Sequence, residues 1–144
     1  MDDEELLKVG SLLNQRCMGG VPDLMQEELD YMLLWELNSE VDQGTFDQYL
    51  TTAAADRALD VAAALERLGS TQMVAVLTQV IGLLPGGWCE DLNERRIRVA
   101  AVPNGPAMFK ALTQAYYDAL EAEQTVSERM MGRIHDAYIR RGLI

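Results

Sequence analysis

The sequence has few of the residues that most catalytic and metal sites need. Its 144 residues include a single histidine, His135, and two cysteines, Cys17 and Cys89. No glutamate stands three residues before His135, so the Glu-x-x-His pairs of di-iron helical bundles are missing. Phosphate-binding glycine loops, a G-x-S-x-G turn and a cysteine with a supporting histidine pattern are missing too. The sequence therefore indicates neither an enzyme nor a bound cofactor.

Cysteines, signal-like residues and long apolar runs are also scarce. Two cysteines are too few for a disulfide framework and match no metal-ligand spacing, so we expect two reduced thiols. Acidic residues follow Met1 where a signal peptide carries basic ones. The longest apolar run, residues 73–84, is broken by Thr78 and Gln79 and is shorter than the roughly 20 residues of a spanning helix. We expect a cytoplasmic protein that does not insert into a membrane.

Basic residues are outnumbered, with 12 Lys and Arg against 23 Asp and Glu, for a formal net charge of -11. The whole excess lies in the first half, because residues 73–144 hold equal numbers of acids and bases, whereas residues 1–50 hold only the bases Lys8 and Arg16. The negative electrostatic field of this acidic half repels nucleic acid and anionic membranes and attracts basic protein surfaces. We expect a basic protein partner and no direct nucleic-acid binding, although acidic faces also serve solubility alone.

What the sequence does have is a series of helix-length segments separated by turn signals, and no alternation of period two that would build a sheet. The length suits one domain over residues 1–144. We predict an all-α fold, a compact single-domain helical bundle of about six to eight helices. The predicted helices cover residues 3–17, 23–41, 46–50, 53–68, 70–84, 106–123 and 125–141, and residues 88–102 are either helical or partly extended.

Local patterns suggest how several of these helices begin and pack. Asp23 with Gln26, and Thr125 with Glu128, have the spacing of capping boxes, in which a side chain accepts from a free backbone N–H of the first turn. In the fourth helix we predict a buried stripe of Leu59, Ala62, Leu65 and Leu68. The basic clusters at 94–98 and 139–141 could each hold a phosphate or an acidic partner, but we predict that they pair with the acidic half of the same chain.

Two carboxylates of the second predicted helix need an explanation. Glu36 and Glu40 lie one turn apart on the arc that carries most apolar residues of that helix. They could hold a metal or act as an acid–base pair, since carboxylates are hard ligands and like charges raise each other's pKa. Alternatively, they lie at the rim of the core and accept hydrogen bonds from residues 44–49, where a short helix has free N–H groups.

The run WELNSEVDQGTFDQYL, followed by an alanine-rich helix and ALERLG, resembles the bacterial DNA-mimic protein family. In that family a helix ends in Glu-Val-Asn-Asn-Gly-Gly-Phe, followed by Gln-Tyr and later by Leu-Gly. The matching residues are Glu40, Val41, Gly44, Phe46, Gln48, Tyr49, Leu68 and Gly69. Asp42, Gln43 and Thr45 replace two asparagines and the second glycine, and Leu50 stands where an aromatic residue is common. Within this motif we interpret Glu40, Gly44, Phe46, Gln48 and Tyr49 as a structural joint in which Gly44 turns the chain.

The resemblance implies an all-helical fold with a surface whose carboxylates imitate DNA phosphates and so occupy a DNA-binding protein. Helix residues three or four apart lie roughly 5 to 6 Å from one another, so acidic helices can present rows of charge. The candidate residues for such a surface are Asp2, Asp3, Glu4, Glu5, Asp23, Glu27, Glu28, Asp30, Asp42 and Asp47.

The leading hypothesis from the sequence is a non-enzymatic acidic binding protein that docks on a basic surface, that of a DNA-binding protein if the resemblance extends to function. One alternative is a homo-oligomeric scaffold in which the acidic half meets the basic C-terminal clusters of a neighbouring copy. Another is a metal-dependent enzyme that uses Glu36 and Glu40.

Overall fold

A computed structural model describes residues 1–144 and contains eight α-helices, one 3₁₀ helix and no strand. The predicted all-α class is confirmed. None of the helices combines the length and apolar character that crossing a bilayer requires. The α-helices are α1 (Asp3–Met18), α2 (Gln26–Gln43), α3 (Phe46–Leu50), α4 (Ala58–Arg67), α5 (Thr71–Gly82), α6 (Leu92–Ala100), α7 (Gly105–Ala122) and α8 (Val126–Arg140), and the 3₁₀ helix is Ala53–Arg57.

The chain forms two compact units, with the boundary inside α2. Unit 1 consists of Met1–Met32 and Gln124–Ile144, and unit 2 consists of Leu33–Glu123. The single domain expected from the chain length stays a prediction.

Unit 1 is built on the packing of α1 against α8. Val9 and Leu13 of α1 and Ile134 and Tyr138 of α8 form its buried core. Each pair is spaced by four residues, which places both members on one helix face.

Helix α2 begins later than predicted, at Gln26. Asp23 does not cap it, because the Asp23 carboxylate lies 3.0 Å from Arg141 and 3.8 Å from Arg16. Instead, Glu28 reaches back and accepts from the Met25 N–H at 2.9 Å, which satisfies one of the free donors of the first turn. Thr125 likewise makes no side-chain cap at the start of α8.

In unit 2, the short helix α3 is anchored on α7. Phe46 and Tyr49 are fully buried, and the Phe46 ring packs edge-on against Tyr116 with centroids 5.4 Å apart. The Phe46 N–H donates to the hydroxyl of Thr113 at 3.0 Å, so this side chain caps α3 where Thr45 does not. The start of α3 is therefore held both by ring packing and by a buried hydrogen bond.

Gly44 precedes α3 for a steric reason. Its φ is not in the left-handed region, but a Cβ at this position would lie 2.8 Å from the Cβ of Gln48. No side chain fits at that distance, so the close approach of the two residues requires glycine.

The apolar face of α4 differs from the predicted stripe. Leu59 is 51% exposed, because it stands nine residues before Leu68, which is about 180 degrees around an α-helix, so the two cannot share one buried face. The residues that are buried in this segment are Ala58, Val61, Ala64, Leu65 and Leu68.

The first turn of α5 is capped by a residue from the end of α7. Glu123 Oε1 accepts from the N–H groups of Gln72 at 2.7 Å and Met73 at 3.3 Å. Ser70 occupies the N-cap position, but its hydroxyl is buried and has no hydrogen-bond partner. The distant carboxylate therefore does the capping that the local hydroxyl does not.

Arg95 is a fully buried arginine that joins α6 to the segment after α3. It donates to the carbonyls of Leu50 at 2.6 Å and Thr52 at 2.8 Å, and to the Asp56 carboxylate at 2.8 Å. It also donates to the carbonyls of Cys89 and Glu90, at 3.2 and 3.0 Å. All five N–H donors of the guanidinium are thereby satisfied.

Candidate acidic interaction surface

The first turn of α1 carries four exposed carboxylates, Asp2, Asp3, Glu4 and Glu5, which we call the acidic first turn. Asp2 and Glu5 form a reciprocal capping box, in which each side chain accepts from the backbone N–H of the other, at 2.8 and 2.9 Å. Glu4 makes an exposed ion pair with Lys8. Carboxylates at a helix N-terminus are also stabilised by the helix dipole. The acidic first turn is therefore accessible, and two of its side chains are held in place.

Glu28, by contrast, is fully buried and cannot belong to a binding surface. Arg16 donates to its two oxygens at 2.6 and 3.0 Å, and the Tyr138 hydroxyl donates at 2.8 Å. Burial alone would raise the pKa of Glu28, but the hydrogen bonds from Arg16, the Met25 N–H and Tyr138 outweigh it and hold that pKa below its ordinary value. Glu28 is thus a charged structural residue.

The other predicted carboxylates of this region do not form an open row. Asp30 is only 2% exposed and accepts from the Gln26 side chain, so it also belongs to the interior. Glu27 keeps 19% of its side-chain surface and pairs with Arg140, and exposed Asp23 pairs with Arg141. Residue 28 is rotated by about 100 degrees from residue 27 and by about 200 degrees from residue 30 around the helix, so it faces a different direction from both. The prediction that they share one surface is wrong for Glu28 and Asp30.

Unit 2 has an acidic side of its own, formed where the end of α2 meets α7. Exposed Asp42 accepts from the Tyr117 hydroxyl at 2.9 Å. Next to Tyr117, exposed Asp118 accepts from the Gln114 amide at 3.0 Å, and exposed Glu121 follows one helical turn later. We call Asp42, Asp118 and Glu121 the α7 acidic side.

Asp118 and Glu121 were missed from the sequence because the acids and bases of residues 73–144 cancel in number. In the structure the bases of this half are separated from these two acids. Arg95 is buried, and Arg98 binds Glu94 together with the carbonyls of Gly86 and Gly87. The spacing of Gln114, Asp118 and Glu121 on one helix face was the signal available in the sequence.

Asp47 is half-buried in the first turn of α3 and accepts from the hydroxyl of Thr45. That bond explains why Thr45 makes no cap, and it turns the carboxylate toward its own turn. Asp47 therefore contributes less accessible charge than Asp42.

The carboxylate pair of α2 is divided between two different partners. Arg57 binds both oxygens of Glu36, at 2.8 and 2.9 Å, whereas Glu40 accepts from the Gln48 amide at 3.4 Å. Only Glu40 thus meets residues 44–49, and it does so through the Gln48 side chain and not through the free backbone N–H groups that one alternative expected. No group of three or more His, Cys, Asp or Glu side chains in the protein is arranged to hold a metal ion.

The two basic clusters are used inside the chain, as predicted. In unit 1, Arg140 pairs with Glu27 and Arg141 with Asp23. In unit 2, Arg95 pairs with Asp56. The predicted pairing with the acidic half is confirmed for Arg95, Arg140 and Arg141, whereas Arg98 pairs with Glu94 of its own cluster.

These features define a class, that of an acidic all-helical protein with exposed carboxylates on each of its two units. The chain belongs to the DMP19-like protein family, whose model matches residues 22–141. This is the family of DNA mimic protein 19, in agreement with the resemblance in the α2–α3 motif. Neither the curated proteins nor the solved structures include a match to the chain.

Proposed function

We propose that the protein is a non-enzymatic binding protein that presents carboxylates in place of DNA phosphates and so occupies a DNA-binding protein. Membership of the DMP19-like family supports this proposal. The observation that carries it is the α7 acidic side, where Asp42, Asp118 and Glu121 are exposed and none of them forms an ion pair.

Exposed carboxylates of each unit are also partly fixed in orientation. In unit 2, Tyr117 holds Asp42 and Gln114 holds Asp118, and in unit 1 the capping box holds Asp2 and Glu5. A side chain that is already ordered loses less conformational entropy when it binds a partner. Such ordering suits a surface that must compete with DNA, whose phosphates are held at fixed spacing along the duplex.

The partner expected from this chemistry is a cytoplasmic protein with a basic DNA-binding face. Carboxylates on the α7 acidic side would take the positions of phosphates against its Lys and Arg side chains. Association should therefore be fast at low salt and weaken as salt is added.

A capture experiment followed by DNA competition tests the proposal. The immobilised protein is incubated with lysate of the source cells at low salt, and bound proteins are released with duplex DNA or with polyglutamate at the same ionic strength. We expect DNA to release a DNA-binding protein at lower charge concentration than polyglutamate does. The purified partner then allows competition between this protein and labelled duplex to be measured by fluorescence anisotropy.

Two triple variants separate the arrangement of charge from its amount. Asp42→Lys, Asp118→Lys and Glu121→Lys together reverse the α7 acidic side, and we expect them to abolish competition with DNA. The control variant carries Asp60→Lys, Glu66→Lys and Glu90→Lys, which change the net charge equally at other exposed positions of unit 2. This variant should retain most of the competition with DNA. Equal loss in both triple variants, or undiminished competition in the first, contradicts the proposal.

A further inference from the structure

Unit 1 carries an open apolar groove next to the acidic first turn. The groove has a volume of about 620 Å³ and is lined by Leu7, Leu12, Leu143 and Ile144, with Glu4, Lys8, Ser11 and Gln15 along its edges. Leu7 is 74% exposed, and Ile144 is 46% exposed. Leu7 therefore packs little of its side chain against the rest of the chain and leaves most of it accessible to a partner.

The wall formed by the last residues is fixed by the way α8 ends. Gly142 has a φ of 67°, and the Leu143 N–H donates to the Tyr138 carbonyl at 2.9 Å. The Gly142 N–H donates to the Ile139 carbonyl at 3.0 Å, which completes the pair of bonds of a Schellman motif. This motif reverses the chain after α8 and directs Leu143 and Ile144 to the groove beside α1.

The dimensions of the groove fit a helix better than a small molecule. From Glu4 to Gln15 it follows α1 for about 17 Å, which is close to three turns of a partner helix. A small residue lies in its middle, since Ser11 lines it. Small side chains allow two helices to approach to interaxial distances of about 8 Å.

The charge around the groove selects the type of helix. Four carboxylates of the acidic first turn stand at its N-terminal end, against the single cation Lys8. We propose that the groove receives an amphipathic helix of the protein partner, with apolar residues against Leu7, Leu143 and Ile144 and with Lys or Arg against the acidic first turn. The proposal rests on the proposed function for the identity of the partner, but the groove and its charge are independent of the α7 acidic side.

Such a contact would give the interaction a selectivity that charge alone does not supply. Carboxylates attract every DNA-binding surface, whereas an apolar groove is complementary only to a partner with a matching apolar stripe. The apolar part of the binding should also persist when salt screens the charges.

A designed peptide tests the groove with the full-length protein. The probe is a labelled helix of about 18 residues with Leu at positions i, i+3, i+4 and i+7 and Lys elsewhere, and the control is a peptide of the same composition in scrambled order. We expect the helical peptide to bind at least about tenfold more tightly than the scrambled one in fluorescence anisotropy.

Leu7→Gln should weaken binding of the helical peptide by about tenfold, whereas Leu59→Gln, at a leucine of unit 2 that is 51% exposed, should leave it unchanged. Thermal melting should be the same for both variants, since neither side chain is buried. Neutralising Asp2 and Asp3 with asparagine should weaken binding at low salt only.

Equal affinity for the two peptides, or no effect of Leu7→Gln, overturns the proposal. So does a dimer in analytical ultracentrifugation that Leu7→Gln dissociates, since the groove would then be an interface between two copies. The triple variant that reverses the charge of the α7 acidic side should not change peptide binding. The groove proposal can therefore be contradicted while the proposed DNA competition is observed, and the DNA competition can be absent while the groove binds the peptide.

Discussion

Arg16 donates hydrogen bonds to both oxygens of the buried Glu28 carboxylate, at 2.6 and 3.0 Å, and so links α1 to α2 inside unit 1. Tyr138 of α8 donates to the same carboxylate at 2.8 Å. Three helices therefore meet at one acidic side chain. The hydrogen bonds that Arg16 donates to Glu28 raise the pKa of Arg16, and burial together with Glu28 raises the pKa of Tyr138, whereas the pKa of Glu28 is lowered, so all three groups keep their present protonation near neutral pH.

Removing the Glu28 carboxylate should destabilise the protein strongly. In Glu28→Gln, Arg16, with 11% of its side chain exposed, would keep only the exposed Asp23 carboxylate at 3.8 Å as a counter-charge, and we expect the loss of Glu28 to cost about 3 kcal/mol. The control is Glu27→Gln, whose partner Arg140 is 65% exposed, with an expected cost below about 1 kcal/mol. Urea denaturation measures both, and equal costs for the two variants would contradict the structural role of Glu28.

Stability should decline in acid because of the same residue. The pKa of Glu28 is lower in the folded state, so the unfolded chain binds a proton more readily. The stabilisation is complete above the ordinary glutamate pKa of about 4.3 and is lost as the pH falls through the folded value. The urea midpoint, measured between pH 7 and pH 3, should fall less steeply for Glu28→Gln than for the unchanged protein. Parallel curves would show that other carboxylates cause the decline.

Arg95→Lys should be costly although it preserves the charge. Lysine has three donors where Arg95 uses five, so at least two of the acceptors around it would be left unpaired. With a cost of roughly 1 to 3 kcal/mol for each unsatisfied buried group, we expect a loss of about 3 kcal/mol in chemical denaturation. Arg96→Lys, at the exposed neighbouring position, is the matched control, and we expect a change within about 0.5 kcal/mol.

Gly44→Ala should destabilise the joint before α3 by about 1 to 3 kcal/mol, because the new Cβ would meet the Cβ of Gln48 at 2.8 Å. If this clash is the cause, the cost of Gly44→Ala should shrink when Gln48 is first changed to glycine. A double-mutant cycle in urea denaturation isolates this coupling. If the effects of the two changes are additive, the cost of Gly44→Ala comes from the backbone conformation at Gly44 and not from the clash with Gln48.

The sequence predicted the number and class of helices well because glycine, proline and capping residues mark where helices end. It could not show which of two neighbouring acids faces inward. Glu27 and Glu28 differ by 100 degrees on α2, yet one is partly exposed and the other is buried beneath Arg16 and Tyr138, which lie 12 and 110 residues away. Charge counts treat both as surface residues, and only tertiary packing distinguishes them.

The packing of α4 shows a second reason for errors. The predicted stripe repeats every three residues, so Leu59 and Leu68 lie about 180 degrees apart on an α-helix, and Leu59 is exposed whereas Leu68 is buried. Only a spacing that alternates between three and four residues stays on one face, as that of the buried residues Ala58, Val61, Leu65 and Leu68 does. The acids of α7 were overlooked for a related reason, because a charge sum over half the chain contains no information on direction.

The cap on α5 has a consequence for how the protein responds to small anions. Two backbone amides at the start of a helix are a natural site for phosphate or sulfate, and in this protein Glu123 occupies that position. Changing Glu123 to alanine would vacate the site, so the melting temperature of the variant should rise with added sulfate more than that of the unchanged protein. At this helix end a carboxylate already stands where an inorganic oxyanion would otherwise bind.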